Sequence, residues 1–333
     1  MMRRREFITL LGGAAAAGPL AARAQQGDRV RRIGVLMPGD ENDPLVKVSA
    51  FTQALADLGW TDGRNVRMDL RWHEDDTNRI RALAQELVGL QPDIILATST
   101  VATAALQRET RTIPIVFANL SDPVASGIVA RLDRPSGNIT GFANFEASLG
   151  GGKWLELLSE ITPGLKRAAI MFNPDNPGAS LYVPSLETAA RSIKVVPIPA
   201  PVHGDVEIET AIVAQGREPG GGLVIIPDTT TFVHRARLIL AAARNNVPVV
   251  YSQSEFVRDG GLLSYGPDSV ETFRRAASYV DRILRGEKLQ NLSAGKLHGA
   301  LPEAVLRDQP TSASHLSREP LPAKCPKRSI SAE

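Results

Sequence analysis

The sequence predicts an α/β protein with two doubly wound lobes, each a parallel sheet covered by helices on both faces. Short apolar runs without alternation are typical of strands that are buried on both faces. Amphipathic stretches that end at glycine or in polar turns follow these runs, which indicates helices. The alternation comes in two blocks, roughly 30–143 and 150–264. This pattern favours two lobes of similar architecture joined by a hinge, with a cleft between them.

The first block contains the strands and helices of the predicted N-terminal lobe. Its strands are expected at 33–37, 66–72, 94–97, 113–118 and 138–143. Its helices are expected at 48–58, 80–90 and 101–107, and Gly59 ends the first of them. Strand 66–72 alternates apolar with charged residues, so we expect it near a sheet edge with one face in water.

The second block repeats this order. Its strands are expected at 168–172, 193–198, 223–226, 247–251 and 262–265. Its helices are expected at 155–161, 186–192, 208–214 and 233–244, and a last helix follows at 273–284. The predicted N-terminal lobe therefore comprises 28–143 together with 265–292, and the predicted C-terminal lobe comprises 144–264.

The first 24 residues read as an export signal. Three arginines precede a modest apolar run at 7–22, and the small residues Ala22 and Ala24 form a cleavage site. Residues 4–8 also match the twin-arginine export pattern, while general secretion stays open. A membrane anchor is the alternative, but the run is shorter than the ~20 apolar residues that a spanning helix needs. We expect cleavage after about Ala24 and a periplasmic location.

The formal charge of +2 for 333 residues hides an uneven distribution. Since residues 1–24 contribute +3 and residues 293–333 contribute +2, the part between them carries −3. A nucleic-acid partner needs a clustered basic face, so none is expected. The only cysteine, Cys325, can form neither a disulfide within the chain nor a cysteine metal cluster.

Motifs for catalysis and cofactor binding are missing from the sequence. The segment 147–154 resembles a phosphate-binding loop, but Trp154 stands where Ser or Thr would hold magnesium. Pro38 and Gly39 follow the first strand, in place of the glycine-rich turn of dinucleotide-binding folds. Neither a Gly-x-Ser-x-Gly elbow nor histidines at metal-ligand spacing are found. We therefore expect no cofactor, no metal site and no enzymatic activity.

Two polar groups have plain structural interpretations. His234 follows a threonine run at a helix start, which favours a surface or capping role over a metal ligand. Asp75 and Asp76 precede a helix, and we interpret them as favourable N-terminal charges rather than as a catalytic pair.

The stretch 92–124 predicts a ligand site. Each of its two buried strands is followed by a turn with helix-capping residues, which are Ser99 and Thr100, then Asn119, Ser121 and Asp122. In a parallel sheet these turns lie side by side at the carboxyl ends of the strands, where ligands bind. The helix start suits a carboxylate and Asp122 suits an ammonium or hydroxyl group, so a small zwitterion such as an amino acid would fit. Helix capping alone is the alternative interpretation.

An exported protein with two lobes, polar turns at a cleft and no nucleophile is most simply a binding protein. Closure of its lobes on a ligand would be the signal that a partner reads. Two alternatives stay open. The chain could be an exported α/β enzyme that uses Asp122 or Asp228 as acid or base, or a sensor subunit that passes its closed form to a membrane kinase.

Several motifs in combination support a family resemblance. They are IGVLM, LGWTDGRNV, PDIILATST, IPIVFANLSDPV, GNITGF, GGKWLELL, PDTTTFVHR and GGLLSYGPD. With the export signal, the chain resembles the ABC transporter substrate-binding proteins of the tryptophan/tyrosine-type group, which have the type I periplasmic binding protein fold. The resemblance covers about residues 1–292. It implies a receptor, expected to be a monomer, that delivers a small solute, often an amino acid, to a membrane permease and ATPase.

The resemblance also implies which residues contact the ligand between the lobes. They are Ser99, Thr100, Asn119, Ser121, Asp122, Asn173, Asp228 and Tyr251. Residues 38–42 would form the loop after the first strand. For Tyr251, a packed aromatic side chain at a strand end is an equally good interpretation.

The chain departs from the family pattern after Leu292. Such proteins usually continue with a proline-containing crossover, a strand and a closing helix. Residues 293–333 are instead rich in Ser, Pro, Arg and Lys and show no amphipathic pattern. We expect an atypical, disordered or out-of-frame tail, so that the second lobe lacks a strand. Truncation after Leu292 should then leave thermal stability little changed.

Overall fold

The computed structural model describes residues 29–40, 46–135, 137–143, 147–176, 181–296 and 303–306. These residues form two six-stranded sheets with helices between and around them. The predicted α/β class with two parallel-sheet lobes is therefore confirmed. None of the helices in these ranges is long and apolar enough to cross a membrane. The predicted export signal lies outside the described residues.

The first sheet is built from the first five strands of the chain. Their bounds are β1 (Arg31–Pro38), β2 (Val66–His73), β3 (Ile94–Ala97), β4 (Ile115–Leu120) and β5 (Ile139–Ala143). They run parallel in the order β5-β4-β3-β1-β2. Strand β2 lies at the edge, as its alternating sequence predicts. The connecting helices are α1 (Val46–Asp57), α2 (Thr77–Gly89) and α3 (Thr100–Glu109).

The second sheet repeats the arrangement. Its strands are β6 (Arg167–Phe172), β7 (Val196–Pro201), β8 (Gly221–Ile225), β9 (Val249–Tyr251) and β10 (Leu263–Gly266), in the order β10-β9-β8-β6-β7. Its helices are α4 (Ala147–Ile161), α5 (Val183–Ser192), α6 (Asp205–Gly216), α7 (Thr229–Val233), α8 (Arg235–Arg244) and α9 (Ser254–Arg258). The three prolines of β7 fit an edge strand, where a missing N–H breaks no ladder.

Helix α10 (Ser269–Leu284) brings the chain back to the first lobe. Its buried Phe273 packs in the same apolar cluster as Phe51 of α1. On the opposite face of the first sheet, Leu83 of α2 and Leu106 of α3 belong to a second cluster. The first sheet is thus covered on both faces. The return follows Gly266, because β10 still pairs within the second sheet.

Both sheets change their winding direction at an equivalent place. The chain passes from β1 outward to β2 and then across to β3, and it passes from β6 outward to β7 and then across to β8. The loops beside such a point, at the carboxyl ends of the strands, form a crevice in open parallel sheets. Each lobe therefore contributes one crevice-forming edge.

Helix α4 begins at Ala147, whereas the sequence predicts a helix only from residue 155. The three glycines at 150–152 are poor helix formers, so the sequence does not indicate the first turns of this helix. A Cβ atom at Gly151 would lie 3.2 Å from the Leu186 side chain of α5. Glycine therefore allows these two helices to pack closely, and tertiary packing overrides the local preference.

The segment after Leu292 contributes a strand to each sheet. Strand β11 (Gly295–Lys296) pairs in parallel with β5, and β12 (Glu303–Leu306) pairs antiparallel with β10. The expectation that the second lobe lacks a further strand is therefore wrong. Sequence periodicity could not reveal strands this short, because pairing with an existing edge holds them in place.

Side chains and carbonyl groups also attach this segment to the first lobe. The Thr140 hydroxyl donates to the Leu292 carbonyl oxygen at 3.0 Å, and the Tyr279 hydroxyl donates to the Ser293 carbonyl oxygen at 2.9 Å. Ala294 is buried in the first core. The expected disorder is therefore wrong for 293–296 and 303–306, while 297–302 and 307–333 lie outside the described residues.

Truncation tests this correction. A chain that ends after Leu292 loses β11, β12 and the buried Ala294. We expect its free energy of unfolding to fall by about 2 kcal/mol or more, the scale of lost core packing. Urea unfolding measures this change, and a chain that ends after Leu306 is the matched control because it keeps both strands. Equal stability of the two truncated chains would contradict a structural role for this segment.

Candidate functional site

A cavity lies between the two lobes, at the carboxyl ends of their strands. It encloses about 450 Å³, counting the space that is open to solvent. Both lobes line it, with the residues Pro38, Lys47, Thr98, Ser99, Thr100, Asn119, Ser121, Asn176, Pro227, Asp228, Thr229, Phe232 and Gln253. Most of these side chains are polar, so the cavity suits a polar solute of moderate size.

Helix α3 begins at the wall of this cavity. Its N-cap is Ser99, whose Oγ accepts the Ala102 N–H at 3.2 Å, and the Ser99 carbonyl oxygen accepts the Thr103 N–H at 3.0 Å. The N–H groups of Thr100 and Val101 belong to the first turn, where an α-helix supplies no acceptor. These groups and the helix dipole favour a negatively charged group at this end.

Asn119 is held in a strained conformation beside the cavity. Its φ of 59° lies in the left-handed region, and the register between β4 and β5 shifts at this residue. Across the ladder, a Cβ atom at Gly141 would collide with the Phe117 carbonyl oxygen, so only glycine fits there. Asn119 Oδ1 is buried and has no hydrogen-bond partner within the described residues. This oxygen can therefore accept a hydrogen bond from a bound molecule.

Asp228 is the buried acid of the second-lobe wall. Its Oδ1 accepts the Thr231 N–H at 3.1 Å, and its Oδ2 accepts the Asn176 Nδ2 at 3.0 Å. Burial raises the pKa of Asp228 to about 6, although these hydrogen bonds favour the ionised form. A positively charged group in the cavity would stabilise the carboxylate.

His73 lies behind Ser99 and is neutral at physiological pH. It is 1% exposed, and its Nδ1 lies 2.6 Å from the Glu74 carbonyl oxygen, so this nitrogen carries the proton. Its Nε2 therefore accepts the Ser99 hydroxyl at 3.2 Å. Burial lowers the pKa of His73 to about 4, despite the Glu74 carbonyl and Asp75, which favour the charged form. The Ser99 hydroxyl consequently offers the cavity a lone pair rather than a proton.

Five of the predicted ligand residues line the cavity, and three do not. Those that line it are Ser99, Thr100, Asn119, Ser121 and Asp228. Asp122 lies outside the lining, and its Oδ1 accepts the Ala125 N–H at 3.1 Å, which is the capping role given above as the alternative. Asn173 also lies outside, and its Nδ2 donates to the Thr230 hydroxyl at 2.7 Å. Asn173 thus joins two loops of the second lobe.

Tyr251 belongs to the core of the second lobe. It is 1% exposed and stacks on Phe256, with 4.7 Å between the ring centroids. Burial raises the pKa of its hydroxyl. This placement corresponds to the alternative interpretation of Tyr251 as a packed aromatic side chain at a strand end.

Sequence reasoning missed the charged and aromatic residues that join the two lobes at the cavity. Lys47 Nζ of α1 lies 2.6 Å from Glu255 Oε1 of α9. Lys47 also lies over the Phe232 ring, 4.7 Å from its centroid. Burial alone would raise the pKa of Glu255, but Lys47 brings it below the ordinary value. No local sequence signal marks these residues, because their partners lie on the other lobe.

A second cavity, of about 400 Å³ when the space open to solvent is counted, adjoins the first. Pro38, Lys47 and Phe232 line both cavities. Its other lining residues are Met37, Val48, Trp72, Arg235, Glu255, Arg258 and Asp259. This neighbouring space has an apolar wall that the first cavity lacks. In the described part of the chain, no group of three or more His, Cys, Asp or Glu residues is placed to hold a metal ion.

Comparison with protein families agrees with this geometry. The family model described as ABC transporter substrate binding protein matches residues 32–300. The chain belongs to this family. The match confirms the resemblance that the motifs indicate, and it extends past Leu292 to include β11.

Individual relatives support the same assignment. The tyrosine-binding protein of Clostridioides difficile (strain R20291) is 26% identical over 243 residues, which are 73% of this chain and 69% of the relative. A conserved domain protein from Vibrio cholerae matches with a TM-score of 0.76 at 23% identity, over 84% of this chain and 92% of that one. The ABC domain from Streptococcus pneumonia in complex with L-Trp matches with a TM-score of 0.74 at 20% identity, over 83% and 91%. At such identities the structural likeness shows the fold alone.

This ABC transporter substrate-binding protein therefore has the type I periplasmic fold and binds a small ligand. The family consists of substrate-binding proteins rather than enzymes. Its members are typically extracytoplasmic. The cavity between the lobes is the candidate ligand site.

His73 makes the stability of the protein depend on pH. The folded chain binds a proton at His73 only below about pH 4, whereas the ordinary pKa of histidine is 6.5. The unfolded chain therefore binds more protons between these values, and stability falls as the pH drops through this window. We expect His73 to account for a loss of about 3 kcal/mol, at 1.36 kcal/mol for each pKa unit.

Urea unfolding of the natural chain and of the His73→Gln variant, near pH 6.5 and near pH 4, measures this loss. The raised pKa of Asp228 has the opposite effect, because it increases the free energy of unfolding as the pH falls through the same window. Because it acts equally in both chains, the difference between them isolates His73. The same loss in both chains would show that His73 is not the group responsible.

Proposed function

We propose that this protein is an exported receptor of an ABC importer, which captures an amino acid between its lobes and delivers it to a membrane permease. The mostly polar cavity to which both lobes contribute is the observation that carries this proposal. Two of its wall atoms, Thr98 Oγ1 and Asn119 Oδ1, are buried without a hydrogen-bond partner in the described part of the chain. Such atoms are costly unless a ligand or water pairs with them.

The α-carboxylate of the ligand fits the start of helix α3. The peptide N–H groups of Thr100 and Val101 and the positive end of the helix dipole favour an anion there. Lys47 also lines the cavity, where Glu255 balances its charge. Ser99 does not contribute its proton, because its hydroxyl already donates to His73.

The α-ammonium group of the ligand fits the acceptors of the cavity. Asp228 supplies a carboxylate, Asn119 supplies an unpaired amide oxygen, and Ser99 supplies a lone pair. Ionised groups form the stronger hydrogen bonds, so Asp228 is the main partner in this arrangement. The two ends of a zwitterion are thus held by opposite kinds of group.

The side chain of the ligand fits the second cavity. Its apolar wall of Met37, Val48, Trp72 and Phe232 favours a large apolar or aromatic group. The tyrosine-binding relative and the structural neighbour in complex with L-Trp support an aromatic amino acid for this chain. L-tyrosine and L-tryptophan are therefore the first ligands to test.

The sequence and the family support the proposals on export and partners. The segment 1–24 acts as a signal peptide that is cleaved after about Ala24, and the mature chain works in the periplasm. Its partners are the permease and ATPase subunits of the importer, which recognise the closed form. The receptor itself works as a monomer. The ligand residues proposed for it are Ser99, Thr100, Asn119, Ser121 and Asp228.

A thermal-shift screen of the chain from Gln25 onward tests the function. The twenty amino acids, nucleosides and small amides serve as the panel, and calorimetry then measures affinity for the best compounds. We expect L-tyrosine or L-tryptophan to stabilise the protein, and their analogues without the amino group to bind far more weakly. Stabilisation by nucleosides alone, or chemical conversion of any compound, would reject the proposal.

Substitution of the buried acid tests the arrangement of the ligand. Asp228→Asn keeps the shape of the side chain but removes the charge, so we expect amino acid binding to weaken by about 1.5–3 kcal/mol near neutral pH. Asp122→Asn is the matched control, because Asp122 lies outside the cavity lining and caps its own turn. Calorimetry measures both variants. Equal losses in the two variants would contradict the role given to Asp228.

A further inference from the structure

Glu255 of α9 is a buried carboxylate at the wall of the second cavity. It is 5% exposed, and burial of a charged group is costly unless the charge is paired. Lys47 of the first lobe forms an ion pair with one of its oxygens, Oε1, at 2.6 Å. The other oxygen, Oε2, is buried and has no hydrogen-bond partner in the described part of the chain. Glu255 therefore keeps an acceptor that the protein itself does not use.

The other charged groups of this cavity have partners of their own. Arg235 pairs with Asp259 at 2.7 Å and donates to the Phe232 carbonyl oxygen at 3.1 Å. Lys47 contacts both Glu255 and the face of the Phe232 ring. Among the described residues that line this cavity, buried side-chain atoms without a hydrogen-bond partner occur on Glu255 alone. The cavity thus offers a bound molecule one buried carboxylate oxygen.

Glu255 presents this oxygen in its ionised form. Burial would raise the pKa of Glu255, but the positive charges of Lys47 and Arg258 bring it below the ordinary value. An ionised carboxylate only accepts hydrogen bonds, and its two oxygens offer about four lone-pair sites. A single ammonium group at Oε1 leaves most of these sites unused. Any group that pairs with Oε2 must therefore be a donor.

The rest of the cavity restricts the molecule that can bring this donor. Four large apolar side chains form one wall, which are Met37, Val48, Trp72 and Phe232. Such a wall favours a flat apolar ring. A second cation would be repelled by Lys47 and Arg235, which line the same space. The donor that fits is therefore a neutral group on an aromatic ring, such as a phenol O–H or an indole N–H.

We propose that Glu255 selects the side chain of the captured amino acid by accepting a hydrogen bond from an aromatic ring that carries a neutral donor. The assignment rests on the proposed function, which places the amino acid backbone in the first cavity and its side chain in the second. Tyrosine and tryptophan meet this requirement, whereas phenylalanine does not. A site that hydrogen-bonds a ring substituent rejects the analogue without it, because the buried acceptor then stays unpaired.

Pairs of nearly isosteric ligands test this role by calorimetric titration near neutral pH. L-tyrosine is compared with L-phenylalanine, and L-tryptophan with 3-benzothienyl-L-alanine, in which sulfur replaces the indole N–H. In whichever pair the protein captures, we expect the member with the donor to bind about ten- to a hundredfold more tightly. This is the scale of one hydrogen bond to a charged group.

Variants of the ion pair show whether Glu255 is the group responsible. Glu255→Gln removes the charge but leaves Lys47 buried without its partner. Lys47→Met/Glu255→Met replaces both by apolar side chains of similar length, a change that proteins often tolerate. Both variants should lose most of the preference for the donor. The ratio of the two dissociation constants is the measured quantity, because an effect on lobe closure alone changes both constants equally.

A second ion pair of the chain supplies the matched control. Lys153 and Glu156 lie 3.0 Å apart on α4, outside the linings of both cavities. Lys153→Met/Glu156→Met should therefore keep the full preference of the natural chain.

Three results would overturn the proposal. They are equal affinity for both members of each pair in the natural chain, capture of aliphatic amino acids only, and an unchanged preference in Lys47→Met/Glu255→Met. If no amino acid binds, the proposed function fails, and p-cresol and toluene then test the second cavity by itself. Titration followed by NMR should still show a preference for p-cresol that Lys47→Met/Glu255→Met loses. Equal binding of the two compounds, or binding of neither, would reject the role of Glu255.

Discussion

The first turn of helix α3 is the constraint on which the rest of the site depends. The helix begins at the carboxyl end of a buried strand of the parallel sheet. The first N–H groups of the helix have no acceptor within the helix itself. Residues of the second lobe line the same cavity, and Ser99 and Thr100 are buried there. The backbone alone therefore favours an anion at this end of the cavity, without any contribution from a side chain.

The remaining polar groups are arranged so that few charges are left unbalanced. Lys47 and Glu255 form a pair across the lobes, and Lys47 also lies on the Phe232 ring. His73 stays neutral because it is buried, so it positions the Ser99 hydroxyl without adding charge next to the helix start. Asp228 is the exception, since its burial costs energy that a positively charged ligand group would offset. The site therefore suits a ligand that carries charges of both signs.

The predictable parts of the molecule are those that local sequence determines. Strand Ile94–Ala97 is a continuous apolar run, and Ser99 marks the helix start after it, so strand, turn and cavity wall could all be predicted. The same reasoning predicted a ligand role for Asp122, yet its carboxylate caps its own turn. A capping residue and a ligand residue look alike in sequence, and only the direction of the side chain separates them.

The unpredictable parts depend on contacts between distant segments. Lys47 and Glu255 have ordinary positions in their own helices, and nothing local indicates that they meet. Strand β12 is four residues long and is held by its pairing with β10, so its own sequence carries little signal. For His234 the sequence indicates a surface or capping role, because the Asp75 carboxylate near its Nε2 belongs to the other lobe. Long-range pairing is the information that a single sequence lacks.

The positions of the three tryptophans give the natural chain an optical reporter of its own. Trp154 is fully buried and donates to the Tyr265 carbonyl oxygen within the second lobe, and Trp60 donates to Asp281 within the first. Trp72 instead lines the cavity beside Phe232 and Arg235 of the opposite lobe. When the lobes separate, the surroundings of this one indole change while those of the other two stay the same. Intrinsic emission can therefore follow the hinge without any added label.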